Sequence, residues 1–171
     1  MTTPPGPARP GMALTAGRVN QWLLPGTVLF EAGRELAQSI TTGATPSSAN
    51  ALSWDDVELD PLEGWDAGAP TRYTCQIAGR YRLEGRVSFV ASTSGTVRAG
   101  GWFVNGSLVA QSRDAITPTS QIHTVAAAVT PVLLAVGDYV ELAAGQNSGG
   151  NLDTGPGSTR PQIVITYTGQ P

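Results

Sequence analysis

The chain contains no lysine and only 13% charged residues, so all ten of its basic side chains are arginines. Net charge is −3 and the arginines are scattered, which leaves no basic stripe of the kind that holds a nucleic-acid backbone. A single cysteine, Cys75, excludes an intrachain disulfide framework. With His123 as the sole histidine, a structural zinc site lacks its usual ligands. Cys75 is expected to be a small buried apolar residue. No stretch approaches the roughly 20 apolar residues that cross a bilayer, so membrane insertion is not expected. The opening MTTPPGPARPGMALTAGR lacks the charged start and apolar core of an export signal. Synthesis in the cytoplasm is the expectation.

What the chain has in plenty is turn chemistry. Glycine (21) and proline (13) are abundant in 171 residues, and the apolar fraction is 40%. Glycine supplies positive φ and proline pre-sets φ at corners, so this composition suits many short strands rather than a helix bundle. The length fits one domain with a proper core.

Two segments follow from the pattern. Residues 1–26 form an N-terminal attachment region. Pro4, Pro5, Pro7 and Pro10 forbid a helix or central strand over residues 1–12 and favour an extended, polyproline-like arm. Residues 15–24 read as a short helix with Thr15 as N-cap and Val19, Trp22 and Leu23 on one face, stopped by Pro25-Gly26. Ten residues do not hold a helix alone, so this face is expected to dock, on its own domain or on a neighbour.

From residue 27 to 171 the alternation is mostly of period two, with about nine strand candidates. In 81–91, Tyr81, Leu83, Val87 and Phe89 point one way and Arg82, Glu84, Arg86 and Ser88 the other. In 52–60, Val57 and Leu59 oppose Asp56, Glu58 and Asp60. Segments 96–104 and 107–112 flank Asn105-Gly106, a strong hairpin signal. Segments 36–41, 72–77, 120–130, 138–144 and 162–168 complete the set, with Ile163, Ile165 and Tyr167 as the inward row of the last. Residues 145–161 read as a long polar loop. The fold class is an all-β antiparallel sandwich or jelly roll.

Chemistry is sparse. His123 lies in a strand-like run without a nucleophile-elbow motif, which favours a plain polar position over a catalytic triad. The run Asp55, Asp56, Glu58, Asp60, Glu63 and Asp66 offers oxygen ligands of the type calcium takes. Alternation sends Asp55 and Asp56 to opposite faces, however, which favours a solvated or subunit-facing acidic edge, with Arg82 and Arg86 as expected partners. Nothing marks a sugar-lined cleft between paired carboxylates. Asn105-Gly106-Ser107 fits a glycosylation pattern but is fully accounted for by the turn. Trp22, Trp54, Trp65 and Trp102 are expected in core or interface packing rather than in sugar stacking. No cofactor and no catalytic or metal residue is expected, and the chain reads as non-enzymatic.

Several runs resemble a known family. Tyr73 to Tyr81 (YTCQIAGRY) resembles the "aromatic, x, apolar, x, x, x, Gly, x, Tyr" signature of the complement globular-head and tumour-necrosis-factor superfamily. Phe103 to Val109 (FVNGSLV) resembles its next hairpin, and Leu134 to Leu142 (LAVGDYVEL) its "Leu, x, x, Gly-Asp, x, Val, x, Leu" strand. Ile163 to Tyr167 takes the place of the closing strand, so the resemblance spans roughly residues 50–168. Residues 1–30 look instead like the start of small structural proteins of actinobacterial phages. The resemblance implies a jelly roll of about ten strands that assembles as a homotrimer around an apolar axis. Trp102 and Val104 are the expected contributors to the subunit contact. It implies a virion surface protein, with the arm and the Trp22 face joining it to the major capsid protein as a decoration. The alternative is a minor tail or fibre-tip protein that reads a host glycan through the 145–161 loop and exposed tryptophans.

Overall fold

The computed structural model describes residues 25–171, and the attachment region with Pro4, Pro5, Pro7, Pro10, Val19, Trp22 and Leu23 lies outside them. Twelve strands follow in order among the described residues: β1 (Thr27–Gly33), β2 (Ser39–Ile40), β3 (Asp56–Leu59), β4 (Tyr73–Thr74), β5 (Gly79–Phe89), β6 (Arg98–Val104), β7 (Ser107–Leu108), β8 (Asp114–Ile116), β9 (His123–Leu134), β10 (Tyr139–Gln146), β11 (Leu152–Asp153) and β12 (Gln162–Gly169). One five-stranded sheet has the order β3-β1-β12-β5-β9, and a second runs β4-β10-β6-β7 with β8 also paired to β6. The small pair β11-β2 closes one side. All of these pairings are antiparallel. The expected all-β jelly-roll class is the fold observed.

The two inner faces interlock because alternation puts large apolar residues on both. Tyr81, Leu83, Val87 and Phe89 of β5 and Ile163, Ile165 and Tyr167 of β12 are buried, as expected, and meet Trp102, Val140 and Leu142 of the second sheet in one core. Gly85 stands in the middle of the inward row of β5. A Cβ there would lie 2.6 Å from Leu142 Cδ2 and 3.2 Å from the Trp102 ring. The missing side chain is the notch that the indole fills. Trp102 Nε1 then donates to the Ala127 carbonyl of β9 at 3.0 Å, a direct hydrogen bond from one sheet to the other.

Irregularities have local causes. The pairing of β1 with β12 shifts between Val28 and Phe30, and both Leu29 and Phe30 turn inward. That bulge hides β1 from a period-two reading. The pairing of β5 with β9 shifts between Tyr81 and Leu83, where β9 carries Pro131 on its way from Val129 to Val132. Proline has no N–H to give a ladder and is tolerated at such a bulge on an edge strand.

The Asn105-Gly106 turn joins β6 to β7 as expected, with both residues at positive φ. Its side chain also locks a second turn. Asn105 Nδ2 donates to Asp138 Oδ1 at 2.8 Å, and Asn105 Oδ1 accepts from Tyr139 N at 3.0 Å. The hydrogen bond from Asn105, with one from Ala135 N, holds the Asp138 carboxyl below its usual range.

Three expectations are corrected. Strands β1, β8 and β11 were outside the candidate set, and the candidates at 36–41, 72–77 and 107–112 shrink to two residues each. The 145–161 segment is not one open loop. β10 continues to Gln146, and Leu152–Asp153 pairs with β2. The Gln146 side chain organises the turn, donating to the carbonyls of Ile40 at 3.0 Å and Gly150 at 2.7 Å while accepting from Ser148 N at 2.7 Å. Ser88, expected outward, is buried under Gly155, whose N–H donates to the Ser88 carbonyl at 3.1 Å.

Gly85→Ala is expected to overpack the contact between sheets and cost about 1–3 kcal/mol. Thermal unfolding checks this as a fall in Tm of roughly 3–10 °C. Gly149→Ala, in open space but at positive φ, tests the backbone term alone and is expected to cost only about 1 kcal/mol.

Candidate functional site

The expected contact pair Trp102 and Val104 does share one face of β6, but that face is the inner one. Trp102 is 0% exposed in the single chain, and Val104 is partly buried against the same core. The reason lies on the other side of the second sheet. There Phe103 and Ala143 pack with Ala51, and Pro46 and Leu108 lie against Gly101. Residues 43–52 thus wrap the outside of β6 and β10, so that both faces of these strands are covered and Trp102 has no surface left for a partner.

The tryptophans do not form an exposed stacking platform. Trp54 and Trp102 are buried, and Trp65 is half-buried with its indole N–H donating to the Pro70 carbonyl at 3.2 Å. The described tryptophans thus offer the glycan reading no fully exposed ring, while residues 149–151 at the tip of the 145–161 segment are exposed.

The acidic run is paired, though not with Arg82 and Arg86. Arg160, just before β12, reaches across Gly33 of β1, where a Cβ would sit 2.7 Å from the guanidinium. It contacts Glu35, and donates to Asp56 Oδ2 and Glu58 Oε1, each at 2.7 Å. Asp55 pairs with Arg34 at 3.1 Å and accepts from the backbone N–H groups of Glu35 and Leu36 at 2.6 and 3.1 Å. Asp60 accepts from the N–H groups of Gly64 and Trp65, both at 2.9 Å. These carboxylates fasten loops to β3. Arg82 and Arg86 sit on β5, three strands away in the sheet order.

Cys75 is buried as expected, with its thiol donating to Ile77 O at 3.0 Å and lying 3.2 Å from the Tyr81 hydroxyl. Burial pushes the thiol's pKa up, so it stays protonated and a poor nucleophile.

His123 is not a plain surface position. It heads β9 with its ring buried, opposite Phe89, and its Nε2 accepts from Thr119 N. Nδ1 is buried without a hydrogen-bond partner among the described residues. Arg98, fully buried and donating to the carbonyls of Val97, Ser92 and Ser94, faces it. Burial first, and the Arg98 charge second, hold the imidazole's pKa below its ordinary value of 6.5. No hydroxyl, thiol or carboxylate is hydrogen-bonded to the ring among the described residues.

Ile122, Leu133 and Val136 stand exposed along β9 and its ends, while Leu36, Leu59 and Leu108 are exposed singly elsewhere. Leu133 is 62% exposed and Val136 64%. Leu133 lines a groove of about 870 Å³ with Val109, Val129, Pro131 and Val132, and with the polar side chains of Arg82 and Gln111. The 120–130 strand candidate stops short of it. The alternation of Pro131 and Leu133 against Val132 and Leu134 was the available signal. Around the corner, Ala126, Ala128 and Val164 surround a shallower groove of about 240 Å³ against Arg86.

This is an antiparallel jelly-roll sandwich with a filled interior and one apolar flank. No protein-family model matches the sequence, and no curated protein does either. Solved structures do resemble it. The globular domain of the zebrafish complement 1qA protein covers 83% of this chain and 98% of its own at a TM-score of 0.59 and 11% identity. The Eiger tumour-necrosis factor of S. frugiperda gives a TM-score of 0.62 at 9% identity, over 86% of this chain and 95% of that one. Murine APRIL gives 0.58 at 14% identity, over 82% and 98% respectively. The chain therefore has the tumour-necrosis-factor-like jelly-roll fold that its motifs resemble.

Because the folded pKa of His123 lies below the unfolded one, the folded protein binds fewer protons between the two values. Stability is fully present above about pH 6.5 and is expected to fall as pH drops below it. Chemical denaturation across pH 4.5–7.5 checks this, and His123→Gln should flatten that part of the profile.

Proposed function

We propose that this chain is a non-enzymatic structural protein of a bacteriophage particle, a homotrimeric capsid decoration attached by its N-terminal region. The observation that carries the self-assembly is the pair of exposed apolar side chains Leu133 and Val136 at the β9 edge, beside a groove floored by Val129, Pro131 and Val132. The interior of the sandwich is already filled, so this surface is surplus to the fold. Contiguous apolar surface beyond what a core needs usually marks an interface. A threefold arrangement is what the resemblance to the complement and tumour-necrosis-factor superfamily implies, and the jelly-roll fold supports that reading.

Attachment rests on residues 1–26. A proline-rich arm loses little conformational entropy on ordering, and three copies held together multiply weak contacts with a capsid lattice by avidity. Pro4, Pro5, Pro7 and Pro10 with the Val19, Trp22 and Leu23 face supply that arm. The phage assignment is supported by the likeness of residues 1–30 to the start of small phage structural proteins, and it places the mature protein on the virion surface.

Two measurements test the two halves. Deleting residues 1–24 is expected to leave a trimer by light scattering while abolishing incorporation into particles, and undiminished incorporation overturns the attachment reading. Leu133→Arg is expected to weaken self-association by about tenfold or more with the fold intact by circular dichroism. A wild-type chain that sediments as a monomer at about 100 μM, weaker than any stable assembly needs, overturns the trimer.

A further inference from the structure

The outward charged side chains of β5, the strand next to the β9 edge, run Arg80, Arg82, Glu84 and Arg86, with Arg80 exposed to solvent. Arg82 is matched, since its Nη2 donates to Glu84 Oε1 at 2.6 Å. Arg86 is left over. No ion pair among the described residues includes it, and its Nε is buried without a hydrogen-bond partner. Arg86 as a whole is half-buried, and covering its Nε without an acceptor is costly because the lost hydration is not replaced.

Its surroundings explain why no side chain among the described residues answers it. The neighbouring outward positions are Ala126 and Ala128 on β9, and Gln162 and Val164 on β12. Alanines cannot reach over the guanidinium, valine offers no acceptor, and Gln162, directly opposite Arg86, makes no hydrogen bond to it. The result is a small apolar trough with a cation along its floor. Arginine set in apolar surface with low side-chain cover is a recurrent feature of protein interfaces.

We propose that this trough is covered by a second copy of the chain, and that Arg86 of one copy donates to the Glu84 carboxylate of the next. The inference rests on the self-assembly proposed above and names its polar contact. In a threefold ring the surface each copy gives differs from the surface it receives, so one contact repeats three times. Such a ring brings like-charged Arg86 side chains towards each other, which disfavours assembly unless each meets a carboxylate. Glu84 lies roughly 7 Å from Arg86 along the same row, and Arg82 occupies only one of its oxygens. Glu31, on β1 across β12 from Glu84, lies two strands further from the β9 edge. Glu84 is thus the carboxylate within reach of a contact centred on Arg86.

The test is sedimentation equilibrium of the full chain over a concentration series, with circular dichroism to verify folding. Arg86→Glu and Arg86→Gln are each expected to weaken the trimer by about 30-fold or more. Exchanging the charges in Arg86→Glu/Glu84→Arg is expected to restore association to within about tenfold of wild type. Unchanged association in both single variants, or a double variant no tighter than Arg86→Glu, overturns the pairing while leaving the trimer standing. A monomeric wild type overturns both. Arg86→Gln keeps the test open should the charge reversal fail to fold.

Discussion

The seating of Trp102 in the notch left by Gly85 is the constraint on which the rest of the molecule depends. Each sheet has one face that must be removed from water, and neither is stable until that face is covered. The indole is the largest group to span the gap, and the glycine opposite is what lets the sheets approach. The hydrogen bond to Ala127 satisfies a buried donor that would otherwise be costly. It also fixes β6 against β9 in one register, because a one-residue slip sends every inward side chain outward. Since β6 pairs with β10 and β9 with β5, fixing that one crossing aligns the long strands of both layers.

Where structure repeats locally, it could be read from the chain. The inward rows of β5 and β12, the turn at Asn105-Gly106 and the burial of Cys75 all follow from alternation or from a residue's own chemistry. What escaped reading depends on segments distant in sequence. The outer face of β6 is apolar because residues 43–52 cover it, which no window around Trp102 reveals. Leu152–Asp153 becomes a strand only because Ser39–Ile40 lies beside it. The acidic run finds its cation in Arg160, about 100 positions away. The groove beside Leu133 was hidden for a different reason: Pro131 argues locally against a strand, yet the bulge accommodates it.

Charge is used in two ways on the first sheet. Around β3, Arg160 gathers Glu35, Asp56 and Glu58 over the glycine of β1, tying the loops at that edge to the sheet. These partly exposed pairs are individually weak in water, and their value lies in holding several loop segments together. On β5 the balance is different, with three arginines and one glutamate in a row. One edge of the sheet is electrostatically complete within the chain and the middle of it is not. Exposed aliphatic side chains stand near both borders of this sheet, Leu59 on β3 and Leu133 on β9.

The proline in β9 has a bearing on how copies of this molecule accumulate. A long, straight border strand offers its backbone to any similar strand, and such pairing has no natural stopping point, so fibres and precipitates result. Pro131 withholds one amide from that border and the bulge bends it out of line. Neighbours must then recognise one another through the shapes of side chains, a mode that can close on itself where the geometry of the contact permits. Wherever a protein meets its own copies at high concentration, that distinction separates finite assemblies from runaway polymer.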